Sequence, residues 1–106
     1  MNLDNIELSA IDFHPHLRAR MFQRGVTSDE VERTLRDGWQ ARDAKAGTSG
    51  KIFIFQYNAD WEGKRFAEKE VTVYYKFVRG KLVVLTVKAR YGESFLKGGG
   101  EGANRI

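Results

Sequence analysis

The 106-residue chain contains no cysteine, which excludes disulfide bridges, thiolate zinc sites and thiol catalysis. It also has no apolar run approaching the roughly 18 residues that a membrane-spanning helix needs, and its first residues lack the basic-then-apolar order of a secretory signal. We therefore expect a cytoplasmic protein that has no membrane partner. The length suits one α+β domain over residues 1–97, and the Gly-rich segment 98–106 is predicted to be a flexible tail.

Histidine is scarce as well, since His14 and His16 are the only two in the chain. Two histidines without a carboxylate pair or a cysteine at ligand spacing are too few for a metal site. The segment 47–51 lacks the spacing and the following helix of a phosphate-binding loop, and no nucleophile-elbow motif occurs. We expect no metal and no cofactor.

Positive charge is concentrated in one part of the sequence. The chain carries a net charge of +4, but residues 1–63 hold 8 basic and 10 acidic residues, whereas residues 64–90 hold 8 basic and 2 acidic ones. A localised basic surface is typical of proteins that bind a polyanion. Lysines that protect strand edges from pairing give the same pattern, and this alternative stays open. The eight basic residues are Lys64, Arg65, Lys69, Lys76, Arg79, Lys81, Lys88 and Arg90.

Two helices are predicted in the N-terminal half. The first covers residues 15–24, because Pro15 suits the first helical position and apolar residues recur behind it at helical spacing. The second covers residues 28–37, because Thr27 and Glu30 form the pattern of a capping box at its start.

Residues with strand propensity dominate the rest of the chain, which predicts an α+β fold of two N-terminal helices packed on a four-stranded antiparallel sheet. The predicted elements are a weak strand over 39–45, a turn over 46–50, a strand over 51–57, a loop over 58–63 and strands over 69–78 and 81–91. Only Arg79 and Gly80 separate the last two strands, so they form a β-hairpin.

A two-residue hairpin loop fixes the expected register of the last two strands. The predicted pairs are Phe77 with Leu82, Tyr75 with Val84, Val73 with Thr86, Val71 with Lys88, and Lys69 with Arg90. One sheet face is then apolar near the turn and ends in a cationic mouth of Thr86, Lys88, Lys69 and Arg90. The opposite face carries an apolar strip of Val83, Leu85, Val87 and Ala89, which suggests covering by a partner or by the tail.

A polar stripe on the first helix carries the strongest candidate for proton transfer. His16, Arg20 and Arg24 are spaced four residues apart and so share one helix face. Two neighbouring guanidinium groups disfavour the imidazolium form, which leaves the histidine available as a base beside arginines that hold phosphate oxygens. The alternative is an ordinary solvated helix face.

Aromatic side chains interleave with the basic residues of the C-terminal half. They are Tyr57, Trp61, Phe66, Tyr74 and Tyr91. Exposed rings in such a pattern stack on RNA bases, whereas buried ones belong to the core of a small domain. The sequence leaves both alternatives open.

One string of residues resembles a known family. The chain reads His14-Pro15-His16, Arg20-Met21, Arg24-Gly25-Val26-Thr27 and Glu30-Val31. This pattern resembles the opening of the bacterial domain of unknown function 4258 family at every position of its signature. Later blocks are similar too, namely Trp61-Glu62-Gly63-Lys64, Lys69-Glu70-Val71 and Val84-Leu85-Thr86-Val87-Lys88, so the resemblance covers roughly residues 14–92.

The resemblance implies a fold similar to the RelE/ParE toxins and the wider barnase, EndoU, colicin and RelE group, whose members are often metal-independent ribonucleases. On this basis His16 would be the general base or acid, Arg20, Arg24, Lys69 and Lys88 would stabilise the phosphorane, and Thr86 would orient the phosphate. A second proton-transfer group is missing, so a lysine or Tyr91 would have to serve. The candidate sites are a catalytic set of His16, Arg24, Lys69 and Thr86 and an RNA-binding set of Arg20, Lys64, Arg65, Lys88, Arg90 and Tyr91.

Three functional hypotheses follow. The first is a toxin-like protein that cleaves or binds RNA and has an antitoxin or another protein partner. The second is a non-catalytic module that forms a homodimer or binds a protein through its apolar strand face. The third, DNA binding through the helix pair, is disfavoured by the acidic start of the second helix. A concave site that brings His16 within about 8 Å of Thr86 and Lys69 would favour cleavage.

Overall fold

Two helices precede four strands that form one antiparallel sheet. The structure is a computed structural model, and it describes residues 15–97. His14 and the predicted tail lie outside the described residues. The elements are α1 (Pro15–Arg24), α2 (Ser28–Asp37), β1 (Trp39–Gln40), β2 (Ser49–Trp61), β3 (Lys64–Val78) and β4 (Lys81–Gly92). The strand order is β1-β2-β3-β4 with every neighbouring pair antiparallel, so the predicted α+β arrangement is confirmed.

Local signals determine where the helices begin and end, and both predicted helix ranges are confirmed. The Thr27 hydroxyl accepts a hydrogen bond from the Glu30 amide at 3.1 Å, and the Glu30 carboxylate accepts one from the Thr27 amide at 3.0 Å. This reciprocal capping box starts α2. The helix ends at Gly38, whose N–H donates to the Thr34 carbonyl at 2.9 Å. Neither helix of the 15–97 region is long and apolar enough to cross a membrane.

The core lies between the two helices and one face of the sheet, which we call the inner face; the opposite face is the outer face. Helix α1 packs along β4, and α2 packs on β2 and β3. The buried core residues are Leu17, Met21, Val26, Val31, Leu35, Val71, Val73, Tyr75, Leu82, Val84 and Val87. The inner face is therefore closed by the helices, and the outer face carries no helix of the described region.

Strand β2 is longer than the sequence predicted, and the predicted loop over 58–63 is wrong. The strand continues to Trp61 and pairs there with Lys64 across a two-residue turn. Both turn residues, Glu62 and Gly63, have positive φ, as a type I′ hairpin turn requires. The polar residues before the turn resembled a loop because a bulge near Asn58, also at positive φ, interrupts the strand pattern. The predicted strand over 39–45 is also shorter, since only Trp39 and Gln40 pair.

A β-bulge changes the register of the β3–β4 hairpin halfway along its length. Phe77 pairs with Leu82 and Tyr75 with Val84 as expected, but Tyr74 then pairs with Thr86, which leaves Leu85 as the extra residue. The predicted register is therefore wrong beyond Val84. The observed pairs are Val73 with Val87, Thr72 with Lys88, Val71 with Ala89, Glu70 with Arg90, and Lys69 with Tyr91.

Beyond the bulge, each side chain of β4 lies on the sheet face opposite to the predicted one, because side chains alternate along a strand. Val87 and Ala89 now pack with the core under the helices, so the predicted outer strip of Val83, Leu85, Val87 and Ala89 does not exist as a strip. Thr86, Lys88 and Arg90 lie on the outer face, whereas Lys69 lies on the inner face. The predicted cationic mouth is thus divided between the two faces.

Candidate functional site

Two adjoining cavities form a groove on the outer face, which we call the outer groove. The cavity next to the bulge has a volume of about 290 Å³, and the second cavity has a volume of about 340 Å³. Both are lined by Asp43, Tyr74 and Lys88. The bulge cavity adds Lys45, Thr48, Leu85 and Thr86, and the second cavity adds Gln40, Arg42, Ile52, Glu70, Thr72 and Arg90.

The three shared residues form one hydrogen-bonded network. The Tyr74 hydroxyl contacts both carboxylate oxygens of Asp43, at 2.7 and 2.8 Å. The Lys88 Nζ donates to Asp43 Oδ2 at 3.2 Å and lies 5.2 Å from the centre of the Tyr74 ring. Gly50 on β2 pairs with Tyr74 on β3. Because Gly50 has no side chain, the tyrosine ring lies against the backbone of β2. The network therefore ties the segment after β1 to the centre of the outer face.

The network has a fixed charge at neutral pH. The hydrogen bond from Tyr74 lowers the pKa of the Asp43 carboxyl, and Lys88 acts in the same direction. Hydrogen bonding to Tyr74 and Asp43 raises the pKa of Lys88, and burial raises the pKa of Tyr74. The carboxylate stays ionised, the ammonium stays charged and the phenol stays protonated. These three groups supply charge and hydrogen bonds to a ligand but no proton transfer near neutrality.

A second ion pair lies at the other end of the groove. The Arg90 guanidinium donates to both oxygens of Glu70, through Nε at 2.7 Å and Nη2 at 3.0 Å. The arginine also lies 4.9 Å from the centre of the Phe95 ring. The Arg90 side chain is 66% exposed, whereas that of Glu70 is 15% exposed. The pair of Lys88 and Asp43 is exposed on both sides and adds only about 0–1 kcal/mol to stability.

The groove carries more positive than negative charge. Its lining contains four basic residues, Arg42, Lys45, Lys88 and Arg90, and two acidic ones, Asp43 and Glu70. Because the side chains of Lys88 and Arg90 are more than half exposed, an anionic ligand can reach both cations, and at Lys88 it competes with an exposed carboxylate. The arrangement is suited to binding anionic groups.

Lys69 does not belong to the groove, although the sequence placed it beside Thr86 and Arg90. Its side chain is 3% exposed and its Nζ donates to the Gly25 carbonyl and, at 2.7 Å, to Glu30 Oε1. The ammonium also lies 5.5 Å from the ring centres of Tyr57 and Tyr91. Lys69 therefore joins the strand to the connection between α1 and α2 and is closed to a polyanion.

Arg24 and Tyr91 are also engaged on the inner side. The Arg24 Nη1 donates to the Val87 carbonyl at 2.5 Å, and the Tyr91 hydroxyl donates to the Arg24 carbonyl at 2.7 Å. The Tyr91 ring stacks on Trp61 at 4.8 Å, and burial raises the pKa of its hydroxyl. These contacts hold the C-terminal end of α1 on the edge strand β4.

The remaining predicted residues are exposed but lie away from the groove. His16 and Arg20 lie on α1, which packs on the inner side, whereas Thr86 lines the groove on the outer side. The concave site of His16, Thr86 and Lys69 that would favour cleavage is therefore not formed by these three residues. Lys64 and Arg65 lie beside the β2–β3 turn, where Lys64 packs 5.5 Å from the Phe66 ring centre and Arg65 lies 4.0 Å from Asp60.

Most of the aromatic residues that interleave with the basic residues pack against one another. Besides the stack of Trp61 on Tyr91, the rings of Tyr57 and Phe66 lie 5.3 and 5.8 Å from that of Tyr91. Only Tyr74 belongs to the groove. The sequence missed Asp43, Glu70, Arg42 and Lys45. No motif surrounds residues 42–45, Glu70 stands in the block Lys69-Glu70-Val71 without a role, and the relation of all four residues to Lys88 and Arg90 depends on the fold.

Comparison with known proteins gives no relative. No protein-family model matches the chain, and no curated protein or solved structure matches it. The resemblance to the domain of unknown function 4258 family stays a prediction.

Proposed function

We propose that the protein is a bacterial cytoplasmic RNA-binding domain that binds phosphate groups in the outer groove. The observation that carries the proposal is the set of four basic side chains converging on one open groove with only two carboxylates. Phosphate contacts from lysine and arginine supply most of the affinity of nucleic-acid-binding proteins. The ion pair with Asp43 holds Lys88 in place until a phosphate replaces this carboxylate as its partner. The bidentate bond to Glu70, whose side chain is 15% exposed, keeps Arg90 in place while the guanidinium contacts phosphate.

The dimensions of the groove favour a polymer over a single small anion. Lys88 and Arg90 are alternate residues of β4, so their backbone positions are about 7 Å apart on the same face. Arg42 lines the second cavity and Lys45 lines the bulge cavity on the opposite wall. Cations distributed along two walls can contact several phosphates of one strand.

Binding has more structural support than cleavage. The Asp43, Tyr74 and Lys88 network contains no group that changes its charge near neutral pH, and His16 lies on a helix of the other sheet face. The toxin-like ribonuclease hypothesis keeps His16 as its base and requires bound RNA to pass around the edge strand β4. Incubation of RNA in EDTA with wild type and with His16→Ala separates the two hypotheses, since intact RNA in both samples contradicts cleavage and leaves binding in place.

Removing a groove cation is expected to weaken RNA binding. We expect Lys88→Gln and Arg90→Gln each to lower the affinity for a short single-stranded RNA by about 3- to 10-fold at low salt. The negative slope of log affinity against log salt should also become smaller in magnitude by about 0.7, because one phosphate contact fewer releases its counterion from the single strand. Fluorescence anisotropy of a labelled RNA across a KCl series measures both quantities.

The matched control for this experiment is Arg36→Gln. Arg36 also forms a surface ion pair, with Glu32 at 2.9 Å, but it lies on α2 over the inner face. It changes the net charge by the same amount and should leave affinity and salt slope within about twofold of wild type. Equal losses in all three variants would show that RNA responds only to total charge and would contradict a binding site in the outer groove.

Removing the carboxylate of Asp43 should have the opposite effect. Asp43→Asn frees Lys88 from its acidic partner and removes a charge that repels phosphate, so we expect RNA affinity to rise by about 3- to 10-fold in the same assay. The control is Asp37→Asn, which breaks the pair with Arg33 on α2 and makes the same charge change. An affinity gain no larger for Asp43→Asn than for Asp37→Asn would argue against competition between Asp43 and RNA for Lys88.

A further inference from the structure

We propose that the bulge cavity holds one unstacked nucleobase of the bound strand, so that the ligand of the outer groove is single-stranded RNA. This inference rests on the proposed RNA-binding function and specifies its ligand. The cavity has an exposed leucine in its wall, a threonine with a buried hydroxyl in its lining and Lys88 and Lys45 at its rim.

The size of the cavity suits a single ring system. Its volume of about 290 Å³ lies at the lower limit of the roughly 300–1,000 Å³ found for small-molecule pockets. A cavity of this size has room for one planar base. A duplex keeps its bases stacked inside the helix and cannot place one in the cavity without unpairing it.

Leu85, beside the bulge, contributes an apolar side chain to the wall of the cavity. Leu85 is the extra residue of β4, and its side chain is 39% exposed. A regular strand would place residue 85 opposite residue 74 and Lys88 on the inner face, so the bulge brings Leu85 and Lys88 into one groove. Phosphates alone gain nothing from an exposed leucine, whereas the face of a base packs well against it.

A hydroxyl in the cavity lining has no hydrogen-bond partner among the described residues. Thr86 lines the cavity, and its Oγ1 is buried without a partner. A buried hydroxyl that lacks a partner costs free energy, and a ligand that supplies one recovers it. The Oγ1 is shielded from the cavity, so a rotation about χ1 has to turn it toward a bound base. Because a hydroxyl both donates and accepts, it can then pair with the edge of any base. The cavity should therefore select an unpaired base over a paired one more strongly than it selects one base over another.

The position of the cavity connects the base to the phosphate contacts. Asp43, Tyr74 and Lys88 line both cavities, so a nucleotide whose base enters the bulge cavity has its phosphate beside Lys88. The following phosphates of the strand then reach the second cavity and the two guanidinium groups of Arg42 and Arg90. The groove thus combines one base contact with several backbone contacts, which is the usual division in single-strand recognition.

Three labelled probes of equal length test the inference with the full chain: a single-stranded RNA, its duplex and an abasic strand with the same phosphate backbone. Wild type should bind the single-stranded RNA about 10-fold more tightly than the abasic strand at the same salt concentration. Leu85→Ala and Thr86→Val should each lower the affinity for the RNA by about 3- to 10-fold and leave the affinity for the abasic strand unchanged. Lys88→Gln should weaken the binding of both strands.

Leu96→Ala is the matched control, since Leu96 is an exposed leucine, 54% accessible, that does not line either cavity. Thermal unfolding of each variant confirms that it is folded. Three outcomes would overturn the base-binding inference while leaving phosphate binding in place. Wild type could bind the abasic strand as tightly as the RNA, or bind the duplex as tightly as the RNA or more tightly. Leu85→Ala could also lower the affinity for the RNA and for the abasic strand by the same factor. Failure of all three probes to bind would contradict the proposed function itself.

Discussion

Replacing Lys69 by methionine is expected to lower the free energy of unfolding by about 3 kcal/mol. The lysine ammonium is almost fully buried and contacts the Glu30 carboxylate at 2.7 Å together with the Gly25 carbonyl. Methionine has a similar length but no charge, so it leaves a partly buried carboxylate and a carbonyl without their donor. Urea denaturation followed by circular dichroism measures the change in unfolding free energy.

Two further variants make this expectation specific to the buried pair. Lys76→Met changes an exposed lysine of the same strand and should cost less than about 0.5 kcal/mol. Glu30→Gln combined with Lys69→Met should recover about 1 kcal/mol of the loss, because no unpaired carboxylate then remains. A cost for Lys69→Met as small as that for Lys76→Met would show that the interaction with Glu30 contributes little to stability.

The parts of the fold that depend on local signals could be predicted from the sequence. The Thr27 and Glu30 pair specifies the start of α2 through bonds that span three residues, and Gly38 marks its end. The spacing of two residues between the last strands predicts the hairpin turn at Arg79 and Gly80, and both residues adopt the positive φ of a type I′ turn. Each of these features is determined within a few residues of chain.

The register beyond the bulge depends on packing across the sheet and was not predicted. The run of Leu82, Val83, Val84 and Leu85 is apolar on both faces, so it does not reveal where the alternation changes. The step of three residues from the buried Val84 to the buried Val87 is the signal of the bulge. This step identifies the bulge only once it is known that both valines are buried under the helices.

The candidate groove could be predicted only in part. Thr86, Lys88 and Arg90 were correctly grouped, because their spacing of two residues places them on one face in either register. The grouping of Lys69 with them is wrong, because the bulge shifts the register by one residue, so Lys69 pairs with Tyr91 on the inner face and not with Arg90. Asp43 lies far from Tyr74 and Lys88 in the sequence, and only the fold brings its carboxylate to them.

The most specific motif of the sequence lies at the junction of the helices rather than in the groove. Arg24 binds the carbonyl of Val87 on β4, Gly25 closes α1, and Thr27 with Glu30 caps α2. Lys69 then joins this connection to β3 through Glu30 and the Gly25 carbonyl. The contacts that join the two short helices to the sheet thus explain the residue types of this motif from Arg24 to Glu30. The outer groove is built from residues outside the motif.

The same junction gives the second large expected effect, which concerns Gly25. Its φ of +71° lies in the left-handed region, and a Cβ at this position would lie 2.5 Å from Trp61 Cζ3 and 2.7 Å from the Tyr91 hydroxyl. Gly25→Ala therefore has to displace the stacked rings and with them the Tyr91 bond to the Arg24 carbonyl. We expect a loss of about 3 kcal/mol in unfolding free energy, of which the backbone conformation accounts for about 1 kcal/mol.

Gly63→Ala isolates the backbone contribution. Gly63 also has a positive φ, +87°, but a Cβ there would meet nothing within 4 Å, so its replacement should cost only about 1 kcal/mol. Urea denaturation gives both losses, and the near-ultraviolet circular dichroism of the aromatic rings should change in Gly25→Ala and stay as in wild type in Gly63→Ala. Equal losses in the two variants, with unchanged aromatic signals, would mean that the space beneath Trp61 and Tyr91 is not what requires glycine at the end of α1.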